Sequence, residues 1–232
     1  MKAYADQVSA MGCIAGANAL SSAAMSEPQP DERLRPAMDA LAACDDDIAR
    51  AYEACGLPPV RRQPADFAGM VNIIAAQQLS VHAARAICER LRAAIGPLTA
   101  ESFLAVPEEE ARNLGLSRPK VRYLRGIAEA EQAGDLDFAE LAEVPDDEAM
   151  ARLTAIKGVG RWTAEIFLLF ALERPDVFPA QDLALQVSGQ RLKRLEDRPS
   201  ADVLRELADS WRPYRSAAAR FLWHYYRHPG VA

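Results

Sequence analysis

Apolar residues along this chain recur at helical rather than strand spacing. From Asp31 a first helix is expected to run through Leu34, Met38, Leu41, Ile48 and Tyr52 until Gly56 and Pro58-Pro59 end it. The next opens at Pro64, where Phe67, Met70, Val71 and Ile74 fall at i, i+3, i+4 and i+7, the stripe of a buried helix. Gln77-Gln78-Leu79-Ser80 interrupts the pattern, and Ser80 is placed to cap a helix that Gly96-Pro97 stops after Ile95. A short acidic helix from Pro107 to Leu114 is broken by Gly115, and Ser117-Arg118-Pro119 starts another reaching Ala133. After an acidic connector, Pro145 to Ala155 and Arg161 to Leu172 read as helices separated by the tight segment Ile156-Lys157-Gly158-Val159-Gly160. Pro175 and Pro179 frame an extended stretch to Asp182. Helices to Leu195, from Ala201 to Trp211 and from Pro213 to Arg227 then complete the pattern. With no strand pairs, tandem repeats or low-complexity tracts, the expected class is all-α.

At 232 residues the chain can bury a substantial core, as one large domain or two closely packed lobes. Its four cysteines, Cys13, Cys44, Cys55 and Cys88, form no CxxC pair and no His/Cys cluster at metal-ligand spacing. Reduced thiols in a cytoplasmic protein are therefore expected, with no metal site and no cofactor. No stretch of about 18 uncharged apolar residues appears, so no membrane partner is expected. Residues 1–30 read as a disordered leader. Their apolar patch from Met11 to Leu20 only loosely resembles a signal-peptide core, because Lys2 is the one basic residue before it. Met25 looks like a natural start, which makes the first 24 residues an extension, and residues 31–232 form the helical domain.

The net charge of −6 argues at first against a nucleic-acid partner, but the charge is unevenly spread. From Lys157 onward there are 12 Lys/Arg against 9 Asp/Glu, net +3, and the preceding 156 residues carry 15 against 24, net −9. Within the acidic part, Arg118, Lys120, Arg122 and Arg125 form a basic run on the first turns of a helix, where Arg118 and Lys120 are candidate DNA contacts.

The segment Lys157-Gly158-Val159-Gly160 has a specific physical use. Glycine opens backbone angles closed to other residues, and a missing side chain lets another molecule approach the main chain. The N–H groups at the start of the Arg161 helix have no helical partners and sit at its positive end, so a phosphate can satisfy them without reading sequence. Glycines at a helix-turn-helix junction also serve packing alone, and the motif by itself does not decide between the two.

Its surroundings do. Leu153 through Ala164, continuing through Asp176-Val177-Phe178 to Asp182, resembles the helix-hairpin-helix and Gly/Pro-Asp signature of base-excision DNA glycosylases. The likeness extends to Trp211-Arg212-Pro213-Tyr214-Arg215-Ser216 with Leu222-Trp223, and backward to Gln77-Gln78-Leu79-Ser80 and Gly115-Leu116-Ser117 to Tyr123-Leu124. It covers about residues 32 to 228 and most resembles the short, all-helical 3-methyladenine DNA glycosylase II family. The resemblance implies a two-lobed fold with the DNA cleft between the lobes. It also implies a monomer acting on double-stranded DNA with alkylated bases, and hydrolysis that releases 3-methyladenine and 7-methylguanine to leave an abasic site. In bifunctional relatives a lysine follows the hairpin where Trp162 stands here, and Lys157 precedes the first glycine, so no lyase activity is expected. No cysteine follows Cys88, which excludes the four-cysteine iron-sulfur loop of other branches.

The resemblance also distributes roles. An Asp before an apolar helix is ordinarily an N-cap; here it makes Asp182 the catalytic carboxylate, stabilising an oxocarbenium-like state and the attacking water. Trp162 and Trp223 become aromatic faces for a cationic base, with Ile166 an apolar wall. Lys157, Gly158, Val159, Gly160, Arg161 and Thr163 become the hairpin's DNA contacts, and an ion bridging hairpin carbonyls and phosphate is implied as well. Gln77, Gln78, Leu79 and Ser80 meet the minor groove, with Gln78 or Leu79 as the wedge that fills the gap left by an extruded base. Two other readings stay open at this point: a helix-hairpin-helix DNA-binding module without chemistry, and a glycosylase for uracil or hypoxanthine.

Overall fold

The computed structural model describes residues 29–228 and Gly230. The expected leader lies outside them except at its end: Pro30 forms an isolated antiparallel bridge with Pro59, Val60 donates to Gln29 and Asp31 to Pro58. In chain order the α-helices are α1 (Arg35–Cys44), α2 (Asp46–Cys55), α3 (Phe67–Ala76), α4 (Val81–Ile95), α5 (Ala100–Ala105), α6 (Glu108–Asn113) and α7 (Arg118–Ala133). They continue with α8 (Phe138–Glu143), α9 (Asp146–Ala155), α10 (Arg161–Phe170), α11 (Leu183–Leu192), α12 (Ala201–Ala208) and α13 (Arg215–Tyr226). Short 3₁₀ turns occupy Glu32–Leu34 and Asp209–Trp211, and there is no strand among the described residues. The chain divides into two compact units, Arg62–Glu173 and residues 29–61 with 174–228.

In the first unit α3 is buried on every side, as its nearly unbroken apolar sequence dictates. Asp66 caps it by accepting from Gly69 N–H at 3.0 Å. Asn72 is the polar exception on that helix, and its amide is satisfied by Gln63 (3.0 Å) and Arg92 (2.8 Å). Thr163 through Phe170 of α10 are buried as well, and Phe167 meets Phe138 at 5.4 Å between ring centroids. Helix α7 contributes one apolar stripe, Val121, Leu124, Ile127 and Ala128.

In the second unit α13 is the buried element, from Ser216 to Trp223 and again at Tyr225. Three departures from the periodicity stand out across the two units. The helix expected from Asp31 to Tyr52 is two helices, because Asp45 leaves helical geometry (φ −143°) to cap α2 through Asp47 and Ile48 N–H. Apolar spacing runs across the break and hides it; the Asp45-Asp46-Asp47 run is its signature. The acidic connector also contains a helix, α8, capped by Asp137, and α5, capped by Thr99, was not anticipated.

Asp45 has a second task. Lys193 Nζ lies 2.7 Å from each of its oxygens and Trp211 Nε1 2.7 Å from Oδ2. Burial raises its pKa, but hydrogen bonds from Lys193 and Trp211 outweigh this and hold it below the ordinary 3.8. A carboxyl whose folded pKa is depressed stabilises the fold above its unfolded value and loses that contribution as pH falls through the folded one. Asp45→Asn is therefore expected to lower the melting temperature at pH 7, with the gap to the unsubstituted protein closing below about pH 4. Melting curves between pH 7 and 3 check this; a gap that stays constant contradicts it.

Candidate active site and nucleic-acid interface

The extended stretch 175–182 is stitched along α13. At its start, Asp176 accepts from Arg215 Nε (2.9 Å) and Nη2 (2.9 Å) and from Arg212 Nη1 (2.7 Å). Next, Ser216 Oγ accepts from Val177 N–H (2.9 Å) and donates to its carbonyl (3.1 Å). At its end, Asp182 Oδ1 accepts from Trp223 Nε1 at 3.2 Å and, as N-cap of α11, from the N–H groups of Ala184 (2.9 Å) and Leu185 (3.2 Å). Asp182 is thus a cap and something more: a carboxylate only 2% exposed, with a fixed orientation, at the positive end of a helix.

Trp223 departs from expectation. It is itself 2% exposed, packed into the second unit with its indole N–H spent on Asp182, so it orients the carboxylate instead of offering a ring face. Ile166 is likewise fully packed and walls no open space. Trp162, on the first turn of α10, is partly exposed. Trp211 is a packing residue, buried beside Phe178.

In the first unit, α9 and α10 are joined by the hairpin. Val159 N–H donates to the Ile156 carbonyl at 3.0 Å, closing the turn, while the Val159 side chain is buried. Gly158 has φ +99°, and a Cβ there would lie 2.1 Å from Tyr123 Cδ1, so both backbone and packing demand glycine. Gly160 differs: it is exposed, its φ is −80°, and a Cβ would meet nothing within 4 Å. The protein's own packing does not require glycine there, and the space beside its main chain is open. Gly160 is also the N-cap of α10, with no side chain to cover the first N–H groups. Lys157 is exposed. Arg161, also exposed, is aimed by Glu165, a 2.9 Å ion pair with a carboxylate 3% exposed.

The Gln77–Ser80 turn links α3 to α4. Gln77 Nε2 donates to Thr163 Oγ1 at 3.0 Å, so the Thr163 hydroxyl faces this turn; its residue is buried. Gln78 is exposed with φ +59°, a left-handed angle that costs a residue with a side chain roughly 1 kcal/mol. Leu79 packs down on Ala76 and Ala84, and Ser80 caps α4 through Ala83 N–H. Lys120, expected to face a phosphate, turns inward to the carbonyls of Ala75 (2.9 Å) and Gln77 (2.7 Å). Arg118 and Arg122 are exposed, whereas Arg125 binds the Val106 carbonyl at 3.1 Å. The roles of Tyr123 and Glu165 were missed. Glu165 was findable, four residues from Arg161 on one helix face; nothing in the sequence marks Tyr123 as the partner of Gly158.

No group of three or more His, Cys, Asp and Glu side chains among the described residues is arranged to hold a metal ion. No described helix is long and apolar enough to cross a membrane.

Residues 71–213 match the model of the HhH-GPD superfamily of base excision DNA repair proteins. A relative from Schizosaccharomyces pombe, DNA-3-methyladenine glycosylase 1, is 37% identical over 158 residues, 66% of this chain and 69% of the relative. The Bacillus subtilis putative DNA-3-methyladenine glycosylase YfjP is 32% identical over 162 residues, 66% of this chain and 56% of its own length. Among solved structures, an S. pombe 3-methyladenine DNA glycosylase in complex with abasic DNA aligns with TM-score 0.75 at 32% identity, over 81% of this chain and 95% of that one.

Proposed function

The chain belongs to the HhH-GPD superfamily of base excision DNA repair proteins, and from that membership we propose that it hydrolyses the N-glycosidic bond of alkylated purines in duplex DNA, 3-methyladenine and 7-methylguanine, as a monofunctional monomer. The observation that carries the reading is the buried, fixed carboxylate of Asp182. As the bond breaks, positive charge develops on the sugar, and an immobile anion beside C1′ stabilises that state at no cost in reorganisation. Water adds its oxygen to C1′ and passes a proton to solvent through Asp182, while the bonding electron pair leaves with the base.

A purine alkylated on a ring nitrogen is already cationic and departs neutral, so no acid needs to protonate it. That chemistry matches a site whose one assigned ionisable group is a carboxylate. Trp162 supplies the face for the electron-poor ring, an attraction on the order of 0.5 to 2 kcal/mol. Because Trp162 stands where the bifunctional relatives carry their lysine, no amine is present there to form a Schiff base, and the strand stays whole. The uncapped start of α10, with Lys157 and Arg161, grips phosphate, and Gln78 enters the duplex.

Duplexes carrying methylated purines, uracil or hypoxanthine test the reading by the base released: methylated purines are expected to leave and the neutral bases to stay. Rapid uracil or hypoxanthine release overturns the lesion assignment, and release of none favours a binding module without chemistry. Gly160→Ala is a milder probe. It is expected to keep the melting temperature within about 2 °C and to weaken duplex binding about tenfold, read by fluorescence anisotropy. Unchanged affinity would remove Gly160 from the phosphate contact.

A further inference from the structure

Lys120 is the member of the basic run on α7 whose charge is spent on the end of α3. Its ammonium takes the carbonyls of Ala75 and Gln77 at the C-terminal end of α3, groups that a helix end leaves without partners. A cation there also complements the helix dipole. The next residue, Gln78, is the exposed tip of the turn and holds its left-handed angle in spite of its side chain. Left-handed geometry at a glutamine persists only where neighbours impose it. Those neighbours are Lys120 on the Gln77 carbonyl, Thr163 on the Gln77 amide, and Leu79 packed on Ala76 and Ala84. Three residues beyond Lys120, on the same face of α7, Tyr123 fills the space over Gly158 of the hairpin. One helix face therefore supports both the turn and the hairpin.

We propose that Lys120 is a positioning residue for base extrusion: by pinning the Gln77 carbonyl it holds Gln78 projected as the wedge, in fixed register with the hairpin that α7 also supports. Burial lowers the pKa of its ammonium, so the contact is held against a desolvation cost that a merely solvent-facing lysine would avoid. The inference rests on the reading of Gln77–Ser80 as the turn that enters the duplex, and the experiment separates the two.

The probe is a duplex with 2-aminopurine stacked beside a tetrahydrofuran abasic-site analogue, whose fluorescence rises when the neighbouring base is unstacked. Protein is saturating, and anisotropy reports binding. The unsubstituted protein and Asp182→Asn are expected to give the full rise and Gln78→Ala a reduced one. Lys120→Met is expected to bind within about threefold, to give no more rise than Gln78→Ala, and to release methylated bases from duplex about 10- to 100-fold more slowly in single turnover. A lysine serving stability alone would lower the melting temperature and leave the rise intact, and that result overturns the proposal. Should Lys120→Met fail to fold, Thr163→Val removes the other tether of Gln77 and is expected to cut the rise in the same direction, with a full rise again overturning it. A full rise from Gln78→Ala would instead sink the wedge reading itself, a signature distinct from failure of Lys120 alone.

Discussion

Asp182→Asn is expected to slow release of methylated bases by on the order of 10³-fold while changing duplex affinity less than about threefold. The substitution isolates charge from structure. Asparagine keeps an oxygen for the N–H groups of Ala184 and Leu185 and for Trp223 Nε1, so the cap of α11 and its tie to α13 survive. What disappears is the negative charge against which, in the proposed mechanism, the sugar cation forms. Asp182→Ala removes the cap as well, and its melting temperature is expected to fall by an amount corresponding to about 1 kcal/mol. Single-turnover release alongside melting curves separates the two effects. Turnover by Asp182→Asn at the normal rate would mean that the carboxylate is a cap and nothing more.

Gly158→Ala carries the largest expected loss of stability. An alanine Cβ would stand 2.1 Å from Tyr123 Cδ1 and 2.4 Å from Cγ, on a backbone held at φ +99°. Ring and backbone must both shift, at a cost of about 2 to 4 kcal/mol by urea denaturation. Because the displaced segment is the hairpin, duplex binding is expected to fall at least about tenfold in the protein that remains folded. Adding Tyr123→Ala relieves the clash but not the backbone angle, so the pair should recover part of the loss. Full recovery would assign the whole requirement to packing, and no recovery would assign it to the backbone.

Most of the helical framework was legible because its signals are local. Ser80 caps α4 as its sequence position implies, and α7 begins at Arg118, as Ser117-Arg118-Pro119 dictates, and ends at Ala133. Where apolar spacing continued through a cap, as at Asp45, the boundary was lost, since periodicity registers burial and not a broken backbone. Asp182 could be singled out from motif order. Its hydrogen bond from Trp223, and with it the burial of that ring, depends on a partner 41 residues away. Lys120 illustrates the same limit. A lysine in a basic run reads as a surface charge, and only the fold reveals two carbonyls within its reach.

The chemistry proposed for Asp182 stands or falls most directly on the products from duplex DNA labelled in its methyl groups, incubated with the unsubstituted protein. Soluble label is expected to co-migrate with free 3-methyladenine, and the DNA is expected to stay full length on a denaturing gel until alkali cuts it at the new abasic sites. Label that stays with the DNA, or strands already cut before alkali, would contradict hydrolysis by a lone carboxylate.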